Sequence, residues 1–229
     1  MNRFSRLRGD AALAVYIDLK SPYAFIAIEP TRAMAAAADV SIDWRPFTLD
    51  IPSYLGSARL DKKGKVESSK RSSGQWSSVR HAYRDARRYA KLRDKTLRGT
   101  EKIWDSSLAG IAMLWAKQQG GECFDRFVDE AYERFWRRDL DIEELDVLED
   151  TLVGIGADVG GFRAYAQGAG RDAHDQLNEA AFDAGVFGVP SYLLADEMWF
   201  GREHLPRVAW LLGGSVGPAP DVANQGFGP

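Results

Sequence analysis

The groups able to do chemistry in this 229-residue sequence are few, and most of them stand alone. One cysteine, Cys123, cannot close an intramolecular disulfide, and a single thiol fits a reducing compartment, which points to the cytoplasm. His81, His174 and His204 are too widely separated for metal-ligand spacing, so no metal is expected and each reads as a surface or pocket-edge residue. No phosphate loop, dinucleotide fingerprint or serine-hydrolase elbow occurs. Charge carries more information. Residues 57–102 hold 15 Lys and Arg against 5 Asp and Glu, in a chain whose net charge is only −3. Residues 122–150 reverse the balance, with 12 acidic and 4 basic side chains. The basic block is either an electropositive wall for small anionic ligands or a solvated face paired with the acidic helix.

The elements that must position these groups follow from periodicity. Residues 12–18 form a short apolar run that predicts a buried strand, and the N-terminal segment reads as leading straight into it. Ser21-Pro22 then opens a helix to about residue 38, because a serine oxygen can cap an orphan N–H and proline at the first helical position loses nothing. Alternation of Val40, Ile42 and Trp44, closed by Pro46, predicts a second strand, so residues 12–47 make a parallel βαβ unit. Residues 49–75 show no period and read as an exposed, mobile loop. From Trp76 the pattern is helical for about a hundred residues: Leu108, Ile111, Ala112 and Trp115 form one stripe, with Ser106 as cap and Gly120-Gly121 as stop. Phe124, Phe127, Val128, Ala131 and Phe135 form the next. A hairpin follows over residues 191–200, then a helix over 203–212. The last 17 residues, 213–229, hold five glycines and three prolines and read as disordered.

With 45% hydrophobic and 28% charged residues, the composition is that of an ordinary soluble globular protein. The acidic net charge argues against nucleic acid as a partner. The longest apolar runs, such as residues 109–116, fall short of the roughly 18 to 20 residues that would cross a bilayer, so no membrane association is expected. The opening residues lack the cleavage pattern of a signal peptide.

Three motifs in order, DLKSPYAF after the first strand, YRDARRYA in the helical stretch and GVFGVPSYLLADEMWFGREHL near the end, resemble those of the 2-hydroxychromene-2-carboxylate isomerase and kappa-class glutathione transferase family, within the DsbA-like proteins. The resemblance implies an α/β architecture, a thioredoxin-like fold with a large inserted helical domain. Residues 12–48 and 185–212 would form the thioredoxin-like part and 49–184 the insert. In DsbA the helix starts with Cys-x-x-Cys; here the same positions are Ser21-Pro22-Tyr23-Ala24, so disulfide exchange, which needs an attacking thiolate, cannot run from them.

In the family the serine matching Ser21 hydrogen-bonds the sulfur of bound glutathione and, with the helix dipole, favours its thiolate. The nucleophile then belongs to the cofactor. The family reaction interconverts a cyclic hemiketal carboxylate and its open benzylidenepyruvate isomer, in the degradation of aromatic compounds. By the same resemblance Pro22, Tyr23, Val189, Pro190, Arg202 and Glu203 would hold glutathione or another low-molecular-weight thiol, with Val189-Pro190 as a cis-proline element. Trp76, Tyr83, Arg84 and Trp199 would meet a small anionic aromatic substrate, and a homodimer is expected. Asp85 and Arg88, three apart on the helix, read as a structural ion pair. Two departures stand out: no asparagine comes soon after strand two, the only ones being Asn2, Asn178 and Asn224, and the family's FG-S-D-R appears as Phe200-Gly201-Arg202-Glu203-His204. A kappa-like glutathione transferase, and a non-catalytic DsbA-like binding module, are the alternatives.

Overall fold

The computed structural model describes residues 2–61 and 63–221. The sequence reading carries the N-terminus directly into a strand; the structure instead forms a helix first, α1 (Arg3–Arg8). Asn2 makes it possible, its side chain accepting from the Phe4 and Ser5 N–H groups at 2.9 and 3.0 Å. β1 (Leu13–Ile17) follows, buried at every position. α2 (Pro22–Ala37) crosses over to β2 (Ile42–Pro46), which lies parallel to β1 with Leu13 opposite Ile42 and Ile17 opposite Pro46.

The expected loop over residues 49–75 is a correction. It contains a short helix, α3 (Ile51–Leu55), and a bulged antiparallel hairpin of β3 (Ala58–Leu60) and β4 (Val66–Ser69). β4 is exposed at every residue, so no face is buried and no apolar alternation marks it. α4 (Ser73–Lys91) starts three residues before Trp76 through a capping box, in which Ser72 accepts from the Gln75 N–H and Gln75 returns the bond. The helical stretch continues as α5 (Ser107–Gln118), α6 (Gly121–Arg137), α7 (Leu145–Gly154), α8 (Phe162–Gln167) and α9 (Ala169–Ala184), ended by Gly185 at φ 91°.

β5 (Ser191–Leu194) returns antiparallel to β1, and β6 (Glu197–Phe200) pairs with β5, giving a four-stranded sheet in the order β2-β1-β5-β6. A 3₁₀ turn, Arg202–His204, leads into α10 (Leu205–Leu212). The first residues of the expected disordered tail are tied to α10, Trp210 Nε1 donating to the Val216 carbonyl at 3.0 Å. Residues 222–229 lie outside the described residues.

Sheet and helices share one continuous apolar core. Phe25 of α2 stacks on Tyr132 of α6 at 5.5 Å and lies 6.1 Å from Trp136; Trp44 of β2 stacks on Phe124 at 6.3 Å. Each such ring stabilises the join by about 1.5–3 kcal/mol. One close approach is at Gly110 of α5, where a Cβ would stand 2.9 Å from the His174 ring and 3.0 Å from Pro46 Cβ. Glycine there lets α5 close onto α9 and β2. No helix among the described residues is long and apolar enough to cross a membrane.

Candidate active site

Ser21 sits where β1 hands the chain to α2. Its backbone N–H donates to the Asp18 carbonyl at 2.9 Å, turning the chain, and its Oγ accepts from the Ala24 N–H at 3.2 Å as the helix cap. The same hydroxyl donates to the Val189 carbonyl at 3.3 Å. Val189-Pro190 is a cis peptide, and the Pro190 carbonyl accepts from the Gly201 N–H at 2.9 Å, tying that element to the end of β6. Ser21 is therefore a buried hydroxyl between a helix N-terminus and a backbone carbonyl.

Beside it lies a pair that the sequence reading missed. Asp18 and Lys20 are both buried, 2% and 4% exposed, with Lys20 Nζ 3.2 Å from Asp18 Oδ2. Asp18 also accepts from the N–H groups of Lys20 (3.1 Å) and Leu49 (2.8 Å), and Lys20 Nζ donates to Ser106 Oγ at 2.9 Å. Every charge here has partners, which a buried ion pair needs. Ser106 holds the expected N-cap position of α5, but its hydroxyl makes no cap bond; Asp105 takes the Ser107 N–H instead, at 2.8 Å. The available signal was the alternation in Asp18-Leu19-Lys20, two charges on one face directly after a wholly apolar strand.

Lys20, Ser21, Pro22, Tyr23 and Val189 open on a cavity of about 810 Å³. Its walls include Phe47 and Thr48 after β2, Tyr54 of α3, Tyr83 of α4, Trp104, and Asn178 and Phe182 of α9. Tyr83 donates to or accepts from Thr100 Oγ1 at 3.0 Å. A second cavity, of about 630 Å³, shares Arg71, Val79, Tyr83, Thr100, Lys102 and Ile103 with the first. It carries Trp76, Arg80, Arg84, Arg87, Arg88 and Lys91. The structure thus brings Ser21, Pro22, Tyr23, Tyr83 and Val189 together, and places Trp76 and Arg84 across a shared wall. The expected Asp85–Arg88 pair is present at 3.6 Å on the surface.

Four expected residues line neither cavity: Pro190, whose cis bond aims Val189 at Ser21, and three that lie elsewhere. Trp199 lines neither cavity. Side chains alternate along β6, so Phe200 faces the cavity and packs on Phe187 at 4.7 Å, while Trp199 turns towards His204 (5.5 Å) and Arg207 (5.9 Å). Trp104 is the indole on the cavity wall, with Lys102 Nζ 4.1 Å above its ring. Arg202 and Glu203 also line neither cavity: the Arg202 guanidinium lies 3.4 Å from the centre of the Tyr89 ring, and the Glu203 carboxyl folds over Gly201. Both act on Tyr23, whose phenol is pushed up first by burial and then by Asp85, with Arg202 opposing.

His174, expected at the surface or a pocket edge, is 2% exposed. Its Nδ1 lies 2.9 Å from Asp175 Oδ1 and its Nε2 3.0 Å from Thr48 Oγ1. Burial holds its pKa below the usual histidine value, with Asp175 partly opposing. An amide does reach the end of β2, from another element: Asn178 Oδ1 accepts from the Thr48 N–H at 2.7 Å.

Residues 12–213 match the family described as the DSBA-like thioredoxin domain, and the chain belongs to it. A 2-hydroxychromene-2-carboxylate isomerase of Sphingobium xenophagum is 25% identical over 83% of this chain and 92% of its own length. One of the same name from Pseudomonas sp. (strain C18) is 35% identical, with the match spanning 35% of each chain. Among solved structures, a 2-hydroxychromene-2-carboxylate isomerase superposes with a TM-score of 0.63 at 20% identity, over 89% of this chain and 95% of that one. A cytosolic disulfide reductase from Pseudomonas aeruginosa, solved with GSH, gives 0.54 at 18%, over 82% and 87%. At these identities the two structures speak for the fold.

Proposed function

We propose that this DsbA-like chain is a thiol-dependent isomerase of a 2-hydroxychromene-2-carboxylate-like aromatic acid. The observation that carries the reading is Ser21, a buried hydroxyl at a helix N-terminus against Val189, where a disulfide enzyme of this fold would need sulfur. Two relatives that are 2-hydroxychromene-2-carboxylate isomerases support the same reaction class. The residues fit the thiol end of glutathione: Ser21 has a rotatable O–H, the first turn of α2 offers positive dipole, and the Lys20 cation lines the same cavity. The Val189 backbone would hold the cysteinyl segment, and Asp50 and Glu179 are the acidic groups on the cavity wall that could take the γ-glutamyl ammonium. When bound, the thiol supplies a nucleophile that adds to a conjugated carbon and leaves again, so that a double bond can rotate.

The chain's own part is binding and charge control. Ser21 would turn its proton from the Val189 carbonyl to the sulfur while Ala24 keeps its cap. Trp104, Phe47 and Tyr83 give flat apolar walls for an aromatic ring. The basic shelf of α4, reached past Arg71 and Lys102, supplies cations for the substrate carboxylate. Cys123 is buried and free, in keeping with work in the cytoplasm.

Ser21→Ala tests the reading. Turnover should fall about 10- to 1,000-fold, the range for losing one hydrogen bond to negative charge, while glutathione affinity changes far less. The pKa of the bound thiol, read from thiolate absorbance, should rise towards that of the free tripeptide. An unchanged thiol pKa and an unchanged rate would make Ser21 a helix cap and nothing more.

A further inference from the structure

Among the polar residues on the first cavity, Thr48 is the hydroxyl with a buried histidine behind it. It lies half-buried, directly after β2. Behind Thr48 stand His174 and Asp175, and behind Asp175 is solvent, its side chain being 59% exposed. Oγ1 to Nε2 is 3.0 Å and Nδ1 to Oδ1 is 2.9 Å, both hydrogen-bond distances.

The network also assigns the tautomer. Asn178 Oδ1 accepts from the Thr48 N–H, which fixes the amide so that its Nδ2 faces outward from that bond. Nδ2 then donates to the His174 carbonyl at 2.9 Å and to Nε2 at 3.1 Å. Nε2 is therefore the acceptor nitrogen of a neutral ring, and Nδ1–H points at the Asp175 carboxylate. The Thr48 hydroxyl faces the acceptor side of the ring, as a hydroxyl must if imidazole is to take its proton. Gly110 lets α5 seat the ring this deeply.

We propose that Thr48, His174 and Asp175 form a proton relay at the cavity wall, with Thr48 as the group that touches substrate and His174 as the group that holds the proton in transit. The proposal rests on the isomerase reading above. Opening the cyclic hemiketal requires that its hydroxyl lose a proton and that the ring oxygen gain one. Thr48 Oγ1 takes the hemiketal proton while its own passes to His174 Nε2. The hydroxyl oxygen becomes the carbonyl, the ring carbon–oxygen bond breaks, and its electron pair stays on the phenolic oxygen. That oxygen takes the proton back through Thr48, so the enzyme ends as it began. Asp175 stabilises the imidazolium in between and orients the ring. His174 and Asp175 act through Thr48 and are positioning residues. The charged groups facing His174 are Asp175 and Arg171 of α9 and Asp105 ahead of α5. β2 and α5 present uncharged Pro46 and Gly110 to the ring, and Arg3 of α1 and Tyr165 of α8 meet α9 at other turns.

Thr48→Val keeps the shape and the backbone N–H that Asn178 holds. Turnover should fall about 100-fold or more, and Thr48→Ser should recover most of it. In the wild type, turnover should decline with falling pH as His174 becomes charged, and Asp175→Asn should lower turnover and move that limb to lower pH. A readout without turnover is the NMR titration of the His174 ring in the protein alone. Its midpoint should rise in Thr48→Val, which removes a donor to the neutral ring, and fall in Asp175→Asn, which removes a partner of the charged one. Wild-type turnover in Thr48→Val, or an unmoved midpoint in both variants, overturns the relay and leaves the isomerase reading standing. A wild type that isomerises nothing with any thiol overturns the reading, and the relay with it.

Discussion

Two groups of charge lie within reach of the same cavity and are built on opposite principles. At the floor, Asp18 and Lys20 are one ion pair, wholly buried, with each polar atom tied to backbone, Ser106 or the other partner. On the shelf formed by α4, the cations are many and wet: Arg88 is 65% exposed even while paired with Asp85, and Arg71 and Arg87 rest on the faces of Trp76 and Tyr83. The floor is part of the folded state, because removing either charge strands the other in a medium that cannot solvate it. The shelf costs the fold almost nothing to change, and its influence runs outward to whatever anion approaches. Number of charges and structural weight are inversely related here.

The sharpest way to break that contrast is Asp18→Ala. With Lys20 left buried and only Ser106 beside it, stability should drop by about 3–5 kcal/mol in urea denaturation. A loss below about 1 kcal/mol would mean that the floor behaves like the shelf. Gly110→Ala comes next, at about 1–3 kcal/mol, because the new methyl meets the His174 ring and Pro46 at overpacked distances. A double-mutant cycle with His174→Ala should show strong coupling, whereas additivity would remove the close approach from the account.

The pH dependence of stability is smaller. His174 is lowered by burial, so between its folded pKa and about 6.5 the unfolded chain binds the proton and the folded chain does not. Stability must therefore rise with pH across that window, by at most about 1.4 kcal/mol per unit, and His174→Gln should flatten it. Asp175, lowered mainly by its bond to His174, adds stability that is present above its ordinary carboxylate pKa and is lost as pH falls through the lower folded value. Least of all, Arg84→Ala with Arg88→Ala should shift stability by no more than about 0.5 kcal/mol. The same variant should weaken binding of a carboxylated aromatic ligand several-fold at low salt, by a margin that shrinks as salt rises. Isothermal titration at two ionic strengths would show both.

What could be read without coordinates follows the range of the forces involved. The βαβ unit, the Ser21-Pro22 helix start, and the stops at Gly120-Gly121 and Gly185 are set by residues within a turn of one another. α1 escaped because its cap is a lone Asn2 and its packing partners, α9 and β5, are far along the chain. The β3–β4 hairpin escaped because nothing on it is buried. At the site, Ser21, Tyr83 and Val189 came with motifs, but His174 gave no local sign of burial; Gly110 and Thr48, which enclose it, are 64 and 126 residues away. Trp199 and Trp104 are the same residue type, and only strand alternation against a hairpin partner separates the one facing α10 from the one on the cavity.

Cys123, on the inward face of α6 and 6% exposed, makes the molecule its own stopwatch. With a single thiol in the chain, a thiol-selective reagent has one place to react, and it gains access when α6 opens from its neighbours, α5 and α7 among them. The labelling rate of native protein then measures the frequency of that opening directly, without denaturant and without any ligand. Loosening the floor near Ser21 would be read as a faster clock, whereas stripping cations from α4 would leave it running at its original pace.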